Sequence, residues 1–221
     1  MNLRLLQLAS PSLPVGAYSY SQGLEAAVEA RIVTDARTAQ SWIADVLELS
    51  LGRMEAPVLL RLIAAWSSGD GDSVRRWNDE FIASRETAEL RAETLQMGYS
   101  LRKLLADLEV IPVETGIQPE PQELAYPTVY ASAVAAWKID PTEALETYLF
   151  AWIENQMLAA LKSVPLGQTD GQRMLLVLAD RIPAAVERAR VMADEELVNF
   201  APGLALLSAR HENQYSRIFR S

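Results

Sequence analysis

The chain has 221 residues, half of them hydrophobic, with a net charge of −9, no cysteine and one histidine. The acidic balance argues against non-specific nucleic-acid binding, which rests on neutralising phosphates with Lys and Arg. Absent cysteines exclude disulfides and thiolate chemistry, and a single histidine excludes a metal centre built from histidines.

Leucine and alanine dominate, glycine is sparse and β-branched runs are nearly absent, so an all-α fold of about eight to ten helices is expected. No linker divides the chain, which reads as one domain over residues 1–221. The apolar run at the amino terminus is too short to span a membrane and is interrupted by Gln7 and prolines, so a cytoplasmic address is expected. Leu3 to Ala9 reads as a short helix ended by Pro11 and Pro14. Ser10 to Tyr18 cannot be regular, with two prolines and Gly16 inside it. Tyr18, Tyr20 and Gln22 then lead into a helix through Glu25 and Val28. Two readings stand for the tyrosines: half-buried turn residues, or apolar bodies with polar tips offered to a partner.

Thr34 is the expected cap of a helix carrying Trp42, Ile43, Val46 and Leu47, and Gly52 its expected end. Pro57 suits the first turn of the next helix, and Ser67 to Gly71 reads as a turn. An apolar stripe from Trp77 and Phe81 through Leu90, Leu101 and Leu105 predicts a long helical region to about Leu108; such a stripe is core, so no cofactor is assigned to it. On that region Arg85 and Glu89 stand four apart, as a pair on one helix face would. Gly98 costs roughly 1 kcal/mol relative to alanine inside a helix, and close helix packing is the expected reason for it. Glu109 to Pro127, with four prolines, predicts an exposed connection before a helix over Thr128 to Trp137.

The segment from Asp140 to Gln172 organises the rest. Asp140 as cap, Pro141 in the first turn and Glu143 three residues after the cap open a helix that is apolar on every face to Leu161, as a central helix is. Lys162 to Gln168 breaks it, and Thr169 with Gln172 has the spacing of a capping box for the next helix. Pro183 opens a helix through Val191, Asp194 to Glu196 reads as a solvated helix start, and Leu204 to Arg210 as a last short helix. No glycine-rich phosphate loop of the GxxxxGK[ST] type and no calcium-type carboxylate motif is visible. Lys162 has two readings, neutralising its own helix end or meeting a partner, and Gln168 likewise bonds loop backbone or meets a partner.

Ile153-Glu154-Asn155-Gln156 with Lys162 to Gln172, LKSVPLGQTDGQ from Leu161, resembles the signature of the urease accessory protein F family, UreF. LLQLASPSLPVGAYSYSQGLEAAVEA near the start, Arg85 to Gly98, and HENQYSRIFRS at the end agree with it. Trp137-Lys138 departs from the family, where a glycine is expected in many relatives. The resemblance implies a urease maturation chaperone without catalytic residues, cofactor or metal of its own. Its implied partners are UreD (UreH in some species), the GTPase UreG and the urease apoprotein, with homodimerisation, and with no nucleic acid or membrane. The alternative is a direct activator that supplies Arg85, Lys162 or Gln168 to the GTPase site. Partner contact is expected at Tyr18, Tyr20, Gln22, Arg85, Glu86, Lys162, Gln168, Tyr215, Arg217, Phe219 and Arg220. Residues 199–221 are expected to form a partner-binding tail, basic within an acidic chain, with Arg217 near Tyr18. Such a tail is either mobile until UreD orders it or docked on its own domain.

Overall fold

The computed structural model describes residues 2–111 and 123–221, and every regular element within them is helical. The expected connection from Glu109 to Pro127 lies largely outside these residues. Helix α1, Leu3–Ala9, is capped by Asn2, whose side chain accepts from the Arg4 amide. A tight turn at Ala17–Ser19 precedes α2, Leu24–Glu29, which is entered through Gly23 at φ 79°.

Helix α3, Ala36–Val46, begins one residue later than expected: Asp35 is its cap, in a reciprocal box with Thr38. Gly52 does not end the rod. The chain continues through a wide π-helical segment, Leu47–Glu55, directly into α4, Ala56–Ser68, whose first turn holds Pro57. A proline ring crowds the carbonyl four residues before it. Here that carbonyl, on Arg53, is turned to the Val198 amide at 3.3 Å, so the rod survives the proline. Gly69, at φ 73°, closes α4 instead.

Helix α5, Gly71–Ala83, and α6, Ala88–Asp107, replace the single long region expected. Thr87 caps α6 by accepting from the Leu90 amide, which places Arg85 and Glu86 in the connection. Arg85 and Glu89 therefore do not share a helix face. The remaining helices are α7 (Tyr126–Ala136), α8 (Pro141–Ser163), α9 (Gln168–Ala179), α10 (Ile182–Val191) and α11 (Pro202–His211). Asp140 caps α8 as expected, bonding the Thr142 and Glu143 amides. The box expected at Thr169 is absent; α9 starts at Gln168 behind Gly167, with no side-chain cap. After α7 the chain turns at Lys138 with φ 52°, a backbone state that favours glycine, at the position where the family glycine was expected.

Helix α8 is central by its neighbours: it packs on α1, α2, α3, α4, α9 and α10. The most enclosed helix is α7, with residues 127–134 all buried between α4 and α6. Its close seating depends on Gly98 of α6. A Cβ built there would stand 2.1 Å from the Leu124 carbonyl oxygen and 3.0 Å from the Ala125 carbonyl carbon, both backbone atoms that no rotamer change can move. Gly98→Ala is therefore expected to lower stability by about 3 kcal/mol or more, although alanine is the better helix former. Urea denaturation of the variant checks this, and equal or greater stability would refute the packing account.

Candidate functional site

The lower faces of α2 and α6 bring together three glutamates that hold the last residues of the chain. Glu25 is buried on α2; Glu89 and Glu93 lie one turn apart on α6. Helix α11 packs on both, and Gly23, at φ 79°, takes the left-handed turn into α2 beside Leu204. At the end of α11, His211 is fully buried with Nε2 3.0 Å from Glu25 and Nδ1 2.7 Å from Glu89. Each ring nitrogen thus has a carboxylate within hydrogen-bond distance.

The same carboxylates then take the tail. Glu25 accepts from the Ile218 and Phe219 amides at 2.7 and 2.9 Å, and Glu89 pairs with Arg217 at 2.6 Å. Glu93 accepts from the Ser221 hydroxyl at 2.8 Å and from Gln22 Nε2 at 2.6 Å. The Arg220 amide donates to the Ser19 carbonyl, and the Ser21 amide and hydroxyl donate to the Ser221 carbonyl. Phe219 is buried in the core. The tail is thus docked on its own helices, where it supplies most of the hydrogen bonds that these three acids make.

The expected contact residues divide into three groups. Tyr18 is 61% exposed, with Lys162 Nζ 5.8 Å from its ring centre and 5.5 Å from that of Phe219. These three form one surface cluster at the end of α8. Tyr20 and Gln22 face inward: the Tyr20 hydroxyl donates to Gln96, while Gln22 spans Glu93 and the Trp152 indole. Arg85 is held by Glu55 at 3.3 Å beneath the ring of Phe81, and Tyr148 donates to the same carboxylate. Arg217 is drawn to Glu89 and does not serve Tyr18, whose ring is met by Lys162. Glu86, Gln168, Tyr215 and Arg220 are exposed, Tyr215 entirely so. Among the described residues no three acidic or histidine side chains come together as a metal site would need, and no helix is long and apolar enough to cross a membrane.

Glu25, Glu89, Glu93 and Ser21 hold the tail, a role that sequence reasoning missed. The available signal was the placement of acids at apolar positions of helical patterns, beside a basic terminus that must be neutralised somewhere.

A sequence profile of the UreF family matches residues 33–179. The chain is 55% identical to urease accessory protein UreF of Azoarcus sp. strain BH72, over 99% of this chain and 95% of that one. It is 52% identical to the UreF of Dechloromonas aromatica strain RCB, over 99% of this chain and 96% of that one.

Burial pushes the Glu93 carboxyl up from 4.5 to about 7, with Glu55 adding to the rise and the Gln22 and Ser221 hydrogen bonds opposing it. The folded chain therefore keeps a proton that the unfolded chain releases above pH 4.5. Stability from this group is full below that pH and is lost as pH rises through 7. Replacing Glu93 by Gln removes the dependence. Between pH 5 and 8 the wild type is expected to lose stability relative to Glu93→Gln by on the order of 3 kcal/mol, at about 1.4 kcal/mol per unit. Parallel urea titrations across that range measure it.

Proposed function

Since the chain belongs to the UreF family of urease accessory proteins, we propose that it serves urease maturation as a chaperone. In this reading it bridges UreD/UreH and the GTPase UreG and supports GTP-dependent nickel insertion into the urease apoprotein. It works in the cytoplasm as a homodimer, and the adjacent exposed Leu176 and Val177 of α9 offer apolar surface for a second copy. Its role is scaffolding, not catalysis. The observation that carries the reading is the surface cluster of Tyr18, Lys162 and Phe219 of the seated tail, together with the fully exposed Tyr215 and the 65% exposed Ile218 of that tail. Aromatic and cationic side chains of this kind anchor protein interfaces.

Truncating the tail would strip these three glutamates of most of their partners, so exposed side chains make the cleaner test. Tyr215→Ala and Ile218→Ala are expected to melt within a few degrees of the wild type and to lose co-purification with UreD at physiological salt. Full retention of the complex by both would refute a partner-binding tail.

Lys162→Ala separates a partner surface from a helix-end role. For a partner surface, melting is preserved and urease activation in cells falls. If the lysine serves only α8, activation is unchanged and the loss is confined to roughly 0.3–1 kcal/mol of stability. The alternative of direct GTPase activation is weakened for Arg85 by its ion pair with Glu55, which leaves Lys162 and Gln168 as its candidates. GTP turnover by UreG with and without this protein distinguishes the two, since a scaffold leaves the rate of the bound GTPase unchanged when either residue is replaced.

A further inference from the structure

A cavity of about 1000 Å³, its open mouth included, lies between the loop after α1 and helices α6, α7 and α8. Leu8, Leu13, Val15 and Leu158 are among its apolar walls. Its polar lining is unbalanced. Three carboxyl groups, Glu55, Glu93 and Glu154, face it, and Arg85 is the one cation among the described lining residues. Arg85 is committed to Glu55, while Glu93 has only neutral donors, Gln22 and Ser221. Glu154 pairs with no cation among the described residues, and burial raises its carboxyl as it does that of Glu93.

Two further observations point into this space. The half-buried Tyr126 lines the cavity, its hydroxyl has no hydrogen-bond partner among the described residues, and its ring packs 5.7 Å from Tyr148 and 6.3 Å from Tyr130. Gln22, at the edge, is held at φ 50° by its bonds to Glu93 and Trp152, a backbone state that costs a non-glycine residue about 1 kcal/mol. Each carboxylate oxygen here keeps a second lone pair. Tyrosine faces attract cations, most strongly where water is excluded.

We propose that this cavity is a binding site for a small organic cation, an ammonium head carried on an apolar body, with the head between Glu93 and Tyr126 and the body on the leucine wall. A metal ion is the poorer occupant, since the described carboxyls are not grouped as metal ligands and the walls are hydrocarbon. The site shares Glu93 and Tyr18 with the docked tail, but the family-based reading rests on the sequence matches, so failure of the site would leave that reading untouched.

The test is calorimetry on the full chain at pH 8 with phenethylamine as probe and phenethyl alcohol as its neutral counterpart. Saturable one-site binding is expected for the amine, at least about tenfold tighter than for the alcohol. Glu93→Gln should reduce the amine to the level of the alcohol. Tyr126→Phe, which keeps the ring packing and removes only the free hydroxyl, should weaken it about threefold with melting unchanged. Equal affinity for amine and alcohol would overturn the proposal, as would no saturable binding at about 1 mM probe or indifference of the amine to both substitutions.

Discussion

Three carboxylates gathered where α11 packs on α2 and α6, Glu25 and Glu93 buried and Glu89 half-buried, set the terms for much of the molecule. A buried carboxylate is costly unless it is paired or fully hydrogen-bonded. Glu25, Glu89 and Glu93 find their partners almost entirely in the last eleven residues: an imidazole, a guanidinium, two main-chain amides and a hydroxyl. The basic terminus of an acidic chain is therefore a counter-charge, set against the acids that its own fold has taken out of water.

That docking also arranges the surface. Pulling Phe219 into the core at the end of α8 brings its ring beneath Lys162, and Lys162 in turn lies against Tyr18. Tyr215 and Ile218 of the tail are left in solvent. Residues from three distant parts of the chain share one patch because one carboxylate, Glu25, fixes the backbone of two of them: its helix follows Tyr18, and its oxygens hold residues 218 and 219.

Helical composition, the cap at Asp140 and the break after Lys162 were legible in the sequence because each depends on neighbours in the chain. So was the tight packing at Gly98, where the cost of glycine in a helix demanded a reason. What was not legible depends on distant groups. Arg85 and Glu89 have helical spacing, but Thr87 starts a new helix between them, and each acquires a partner far away in sequence, Glu55 and Arg217. His211 reads as a lone residue near a terminus, yet it is the most enclosed ionisable group of the site. The family motif singled out the Tyr18 and Lys162 regions separately, but no spacing rule could reveal that they meet, or the acids that hold the tail against them.

The wide segment Leu47–Glu55 has a further meaning. A bond that reaches five residues back takes up one residue more than an α-turn, so everything after it is rotated by about 100° from where an unbroken α-helix would carry it. Glu55 is the last residue of that segment, and its carboxylate receives both Arg85 and Tyr148 in the interior. The inward aim of Glu55 is thus a matter of register. In an unbroken α-helix of the same sequence this glutamate would point elsewhere, so the wide turn is what aims an acid into the interior of the bundle.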